Sequence, residues 1–197
     1  MTSAEFHRPA ADELAGLRAF DEGRADYYAW GFELTAPDDT TAISGWSDAP
    51  EWAARLTPIG TANGSGSVYA HWAAADGAFP VIILGDEGGV RPVAVNTSEF
   101  LRVLSLDAEP MVDWDGVAFY NDGVEDPSAG HDEYVGWLTE RGLQPIVVSF
   151  DEDDDVIDDD QAEANDRAHD EVNAIVATAE QRYGDELNAW AKAHGIG

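Results

Sequence analysis

The sequence has 197 residues, of which 40 are Asp or Glu and 10 are Lys or Arg, so the formal net charge is −30. Hydrophobic residues make up 44% and aromatic residues 10%, a composition that supports a packed core rather than a disordered chain. The absence of Cys excludes disulfides, thiolate zinc sites and a Cys nucleophile, and the acidity disfavours binding to nucleic acids or anionic membranes.

The length suits one domain of ordinary size. No apolar run approaches the roughly 20 residues of a membrane span, and no secretory signal is visible after Met1. We therefore expect a cytoplasmic protein that binds neither membranes nor nucleic acids.

The acidic residues are most concentrated near the C-terminus. Residues 151–197 carry 15 acidic and 3 basic residues, whereas residues 1–150 carry 25 and 7. We predict an α+β domain over residues 1–150, followed by an acidic linker and a C-terminal helix over 151–197 that packs on the same domain. Two explanations of the acidity stay open, because excess Asp keeps a salt-adapted protein hydrated and also suits a basic partner.

The first third of the chain predicts short elements. Leu14, Leu17 and Phe20 recur at three-residue steps, which indicates an amphipathic helix over 11–20. The aromatic residues of 27–35 favour a strand, and a proline at the first turn predicts a short helix over 50–56.

The middle of the chain predicts an antiparallel sheet with strands at Ser67–Ala73, Phe79–Leu84 and Pro92–Val95. The intervening segments 74–77 and 85–89 have the length and glycine content of hairpin connections. The second of these strands is apolar throughout, so we expect it to be covered on both faces.

Further elements follow the sheet. Asn96 and Glu99 form a capping-box pattern at the start of an apolar helix. We predict a strand at Val117–Tyr120, a helix over 131–141 and a strand-like run over 144–150.

Eight of the ten residues in 151–160 are acidic, which predicts a solvated linker. This segment fails as an EF-hand loop, because the sixth position is Val156 and the twelfth is Ala162, where Gly and Glu are required. Beyond it, apolar residues recur at steps of three and four and predict an amphipathic helix over 160–193. The predicted fold class is therefore α+β, with a central antiparallel β-sheet, packed helices and a long C-terminal amphipathic helix.

No constellation of catalytic or metal-binding residues stands out. His71 has no second histidine at metal-ligand spacing, so we interpret it as structural, and we interpret His131 as a surface residue. Asp86 and Glu87 suit either acid–base chemistry or an ordinary turn. We predict no catalytic residue, no metal and no cofactor, and we keep a carboxylate-dependent hydrolase using Asp86, Glu87 or His71 as an alternative hypothesis.

Several motifs of the central stretch follow one another in a characteristic order: Pro58-Ile-Gly60, Asn63-Gly-Ser-Gly66, Tyr69-Ala-His-Trp72, Pro80-Val-Ile-Ile-Leu-Gly-Asp-Glu87, Val93-Ala-Val95 and Glu99-Phe-Leu101. This stretch resembles the SUKH superfamily, whose best-known members are bacterial immunity proteins that neutralise polymorphic toxins, and a fungal cell-wall regulator. The resemblance covers residues 50–106 and implies an α+β fold with an antiparallel sheet.

The resemblance implies a non-enzymatic protein that neutralises a basic, nuclease-type toxin domain through an acidic face. An alternative is a regulatory or structural interaction module with another partner. The candidate partner-binding residues come from the acidic turn and from an acidic segment, residues 113–126, that contains one tryptophan. They are Asp86, Glu87, Asp113, Trp114, Asp115, Asp122, Glu125 and Asp126.

Overall fold

A computed structural model describes residues 11–36, 39–47, 49–113, 116–121, 126–149 and 159–196. The helices of this described part are α1 (Ala11–Asp21), α2 (Thr41–Ser44), α3 (Pro50–Ala54), α4 (Thr97–Leu104), α5 (His131–Glu140) and α6 (Asp159–Ala193). Its strands are β1 (Glu33–Leu34), β2 (Leu56–Thr61), β3 (Val68–Trp72), β4 (Val81–Leu84), β5 (Val90–Ala94), β6 (Glu109–Val112) and β7 (Val117–Tyr120).

The first five strands form one antiparallel sheet in the order β1-β2-β3-β4-β5, so each strand pairs with its neighbour in the chain. β6 and β7 form a separate antiparallel hairpin. The α+β class, the central antiparallel sheet and the long C-terminal helix are confirmed.

Both faces of the sheet are buried, because alternate residues of β3 and β4 face two different cores. Tyr69 and Ile83 face a first core with α1, α4 and α5, and Ala70 and Ile82 face a second core. All four residues of β4 are buried, as their continuous apolar run predicts.

α6 packs along β5, the last strand of the sheet. Its first half contributes Val172 to the first core, and its second half contributes Leu187 and Trp190 to the second. Trp190 stacks on Trp52 of α3 with ring centroids 4.4 Å apart. The helix therefore covers an edge that would otherwise expose unpaired backbone groups.

Two predicted strands are wrong or shortened. Residues 27–35 retain strand structure only at Glu33–Leu34, because the preceding residues turn at Gly31, which has a φ of 65°. Residues 144–149 form no strand. The amide of Ile146 donates to Ser105 Oγ, and the amide of Ser149 donates to Asn165 Oδ1, so side chains replace a neighbouring strand.

Two strands, β2 and β6, lie where none was predicted. The predicted helix over 50–56 ends at Ala54, and β2 begins at Leu56. β2 was missed because it contains Pro58 and Gly60, residues that are typical of loops. A Cβ on Gly60 would lie 2.4 Å from the carbonyl oxygen of Glu33, so the close approach of β1 requires glycine there.

The predicted capping box before α4 is present in modified form. The amide of Glu99 donates to Asn96 Oδ1 over 2.9 Å, while Glu99 Oε2 accepts from the amide of Val95 over 3.3 Å. Of the predicted acidic linker, residues 151–158 lie outside the described part of the chain, and α6 begins at Asp159.

Candidate functional site

The acidic turn between β4 and β5 contains Asp86 and Glu87, both exposed. Ser67 holds this turn, because its hydroxyl donates to Asp86 Oδ1 over 2.6 Å and accepts from the Asp86 amide over 3.1 Å. The Asp86 carboxylate is therefore fixed at the end of the sheet while it stays accessible to solvent.

Asn63 organises the loop that carries Ser67. Its Oδ1 accepts from the amides of Ser65, Gly66 and Ser67 over 2.9–3.2 Å. Its Nδ2 donates to Ser67 Oγ over 3.1 Å and to the carbonyl of Pro110 in β6 over 3.3 Å. One buried side chain thus ties the glycine-rich loop both to the acidic turn and to the β6–β7 hairpin.

The hairpin also packs directly against the acidic turn. A Cβ on Gly85 would lie 2.5 Å from Val112 Cβ, so glycine is needed where the hairpin approaches the end of β4. Asp113 follows Val112, and its amide donates to the Gly116 carbonyl over 2.8 Å. The structure therefore places the end of β6 and the backbone of Asp113 next to the turn that contains Asp86 and Glu87.

A first groove of about 360 Å³ lies between the acidic turn and the β6–β7 hairpin. Carboxylates lie on both sides of it, and the exposed side chains of Met111 and Tyr120 face it from the hairpin. Its lining residues are Asn63, Ser65, Asp86, Glu87, Glu109, Pro110, Met111, Val112 and Tyr120.

A second groove of about 560 Å³ shares Glu109 with the first. Tyr27 and Trp30, from the turn before β1, line it together with Asp26 and Ser128. Ser128 is held rigidly, because its amide and its hydroxyl donate to the two carboxylate oxygens of the buried Asp107, each over 2.7 Å.

The two grooves together make a surface that we call the acidic aromatic face, defined by the residues Asp26, Tyr27, Trp30, Asp86, Glu87, Glu109, Met111 and Tyr120. Within the described part of the chain, five large hydrophobic side chains are exposed, and four of them lie on this face. Their exposed fractions are 49% for Tyr27, 39% for Trp30, 55% for Met111 and 45% for Tyr120. No Lys or Arg among the described residues lines either groove.

Sequence reasoning placed Asp86 and Glu87 correctly in a turn but missed the aromatic half of the face. A signal exists in the hairpin, because the cross-strand register pairs Glu109 with Tyr120 and Met111 with Ala118 on one side. Phe119 lies on the other side and is buried in the first core. The two-residue alternation of β7 thus marks Tyr120 as outward-facing.

The remaining predicted partner-binding residues are not among those that line the two grooves in the described part of the chain. Asp126 is exposed two residues before Ser128, which lines the second groove. Four further candidates lie outside the described residues: Trp114, Asp115, Asp122 and Glu125.

The two histidines singled out from the sequence are both buried. His71, interpreted as structural from the sequence, is buried in the sheet, and its Nε2 shares a hydrogen bond with Thr97 Oγ1 over 3.0 Å. Burial lowers the pKa of His71 to about 4. The surface assignment of His131 is wrong, because His131 is buried and its Nε2 donates to the carbonyl of Ser105, directly after α4, over 3.0 Å.

His71 does not line the groove that Asp86 and Glu87 line, so the three residues of the hydrolase hypothesis do not meet there. In the part of the chain that the structure covers, no group of three His, Asp or Glu side chains is placed to hold a metal ion. None of the helices described there has the length and apolarity needed to cross a bilayer.

Comparisons of this chain with protein-family models, with curated proteins and with solved structures found no match. The SUKH resemblance therefore depends on the central motifs alone. In the structure these motifs occupy β2 to β5, their connecting turns and the first turns of α4.

Proposed function

We propose that the chain is a non-enzymatic protein-binding module that covers a basic surface of its partner with the acidic aromatic face. The observation that carries this proposal is the gathering of four of the five exposed large hydrophobic side chains of the described residues on one face, beside carboxylates. Exposed apolar patches rimmed by polar groups are typical of protein–protein interfaces, and Tyr and Trp are the common anchors of binding.

The charge of the chain supports a basic partner. The net charge of −30 produces a long-range attraction that increases the rate at which a cationic protein meets this one. Asp86, Glu87 and Glu109 concentrate negative charge at the grooves. Electrostatics then governs encounter, while the aromatic side chains govern the lifetime of the complex.

Hydrogen bonds that anchor two parts of the face also support recognition of a partner. The hydrogen bonds of Asn63 and Ser67 fix the acidic turn, and those of Asp107 fix the Ser128 wall of the second groove. A surface that is already ordered loses less conformational entropy when a partner binds.

The SUKH resemblance supports a more specific form of the proposal. Asp86 and Glu87 end one of the motifs that carry the resemblance, and they lie on the acidic aromatic face. In this form the partner is a basic, nuclease-type toxin domain, and the chain neutralises it as an immunity protein.

The test is co-expression of the full chain with the basic products of neighbouring genes, followed by size exclusion and association kinetics at low and high salt. We expect a one-to-one complex with one such protein, with an association rate that falls as salt rises. We expect the triple variant Asp86→Asn, Glu87→Gln and Glu109→Gln to lower that rate by about tenfold or more at low salt.

A matched control removes three exposed charges from α6 by Asp166→Asn, Asp170→Asn and Asp185→Asn. Both variants change the net charge equally, so a smaller effect of the control locates binding at the face. Equal effects, a salt-insensitive association rate, or no complex with any basic neighbour would contradict the proposal.

A further inference from the structure

The two aromatic rings of the second groove are open to an incoming group. Elsewhere in the described structure, arginines of the chain lie over some of its aromatic rings, as where the Arg141 guanidinium carbon lies 4.1 Å from the Trp137 ring centroid. No arginine of the described residues lies over Tyr27 or Trp30 in this way. Trp30 is also the most exposed of the described tryptophans.

Three carboxylate side chains lie close to these rings. Asp26 and Glu109 line the same groove. The Tyr27 hydroxyl donates to Glu33 Oε1 over 2.8 Å, which places a third carboxylate at the edge of the Tyr27 ring. The groove thus offers a cation two aromatic rings and, beside them, negatively charged oxygens.

The turn that carries the rings is anchored at both ends. The amide of Gly130 donates to the Tyr27 carbonyl over 2.8 Å. Gly31 has a φ of 65°, and a Cβ there would lie 3.2 Å from Asn63 Cα, so this turn packs closely on the Asn63 loop. The position of Trp30 is therefore set by the backbone on either side.

We propose that the second groove binds an arginine side chain of the basic partner, an inference that rests on the proposed function. A guanidinium group is flat and weakly hydrated, so it stacks on an indole or phenol ring while its N–H groups donate to carboxylates. A lysine ammonium is a compact, strongly hydrated charge and gains less from flat rings. Trp30 supplies the stacking surface, and Asp26 and Glu109 supply the acceptors.

The test uses the full chain and two fluorescently labelled peptides of equal length and charge, one arginine-rich and one lysine-rich, with binding followed by anisotropy. We expect tighter binding of the arginine-rich peptide. Trp30→Ala is expected to weaken that binding by about 3- to 30-fold and to remove the preference, whereas Trp30→Phe keeps most of it. Tyr27→Ala provides a second variant should Trp30→Ala lower the folded population.

Val147→Ala serves as the control, because Val147 is 45% exposed but lies in neither groove. A preference for arginine that survives both Trp30→Ala and Tyr27→Ala would overturn the inference.

The turn variant Asp86→Asn with Glu87→Gln separates the two proposals. If it weakens both peptides while Trp30→Ala has no effect, the arginine site is wrong and the acidic binding face stands. If neither this variant nor Trp30→Ala weakens either peptide, the proposed function fails as well.

Discussion

His71 lies between the sheet and α4, where only 1% of its surface is exposed. Burial disfavours the charged imidazolium and lowers the pKa from 6.5 to about 4. Between these two values the unfolded chain binds more protons than the folded chain. The contribution of His71 to the free energy of unfolding is therefore fully present above pH 6.5 and decreases as the pH falls towards 4.

The first prediction compares the wild-type chain with His71→Gln in urea unfolding at several pH values. A glutamine can keep a hydrogen bond to Thr97 but does not titrate. We expect the free energy of unfolding of the wild-type chain to fall by about 3 kcal/mol relative to the variant between pH 6.5 and 4. The carboxylates are common to both chains, so their titration cancels in the difference. Parallel curves would show that His71 does not titrate in this way.

At the scale of secondary-structure elements, α6 is a structural part of the fold rather than an appendage. It contributes Val172 to the first core and Leu187 and Trp190 to the second. Its side chains also reach the sheet connections, where Arg182 pairs with Asp76 over 3.1 Å and Arg55 pairs with Glu186 over 3.0 Å. The exposed ion pair of Arg182 contributes little, so most of the stabilisation comes from the buried apolar side chains.

A chain that ends at Ser149 is therefore expected to lose cooperative unfolding. Without α6, both cores lose large side chains and the edge of β5 is left uncovered. Circular dichroism on heating measures this loss, and a peptide of residues 159–197 added in trans is expected to restore a cooperative transition.

Two point substitutions in the full chain control for the truncation. Leu187→Asp buries a carboxylate in the second core, whereas Asn188→Asp adds the same charge at an exposed neighbouring position. We expect a loss of several kcal/mol for the first and a change within about 0.5 kcal/mol for the second. A sharp, native-like transition in the truncated chain would show that the sheet is stable without α6.

Much of the architecture was predictable because strong local patterns agreed with the final packing. The continuous apolar run of β4, the Asn96 cap and the long periodicity of α6 each indicated the correct element. β2 was not predictable from its residues, since Pro58 and Gly60 are typical of a loop. The need for glycine at position 60 becomes clear only in the fold, where β1 approaches it closely. The strand predicted over residues 144–149 was wrong for the opposite reason. The run is apolar, but its backbone amides donate to side chains and not to a neighbouring strand.

The candidate site was predictable only where it coincided with a turn. Asp86 and Glu87 follow from the hairpin connection between two strands. Tyr27 and Trp30 come from a segment about 80 residues before Glu109, and only the tertiary fold brings them into one groove. Their exposure could not be derived from residue type, since most of the aromatic side chains that the structure describes are buried.

Across the protein, charge repulsion outweighs charge pairing. The chain has 40 carboxylate side chains and 10 Lys or Arg, so most carboxylates have no cation to pair with. Exposed ion pairs contribute at most about 1 kcal/mol each and are themselves screened by salt. The net electrostatic energy of the folded chain is therefore unfavourable at low ionic strength.

The corresponding prediction is that added NaCl raises the Tm of the isolated chain, because screening relieves more repulsion than attraction. Scanning calorimetry or circular dichroism over a range of NaCl concentrations measures the slope. The α6 variant with Asp166→Asn, Asp170→Asn and Asp185→Asn carries less charge, so its slope is expected to be smaller. A Tm that falls with NaCl would show that ion pairs dominate. Sulfate is avoided as the anion, because it also strengthens apolar burial.

The position of α6 against β5 has a consequence for how the protein folds as it is made. β5 ends at Ala94, whereas α6 ends at Ala193, about 100 residues later. At a synthesis rate of about 5–20 residues per second, the last strand of the sheet waits about 5–20 s for the helix that completes it. During that interval the nascent sheet presents an open strand to its surroundings. The negative charge of the first 150 residues, 25 acidic against 7 basic, opposes pairing of that strand between nascent copies.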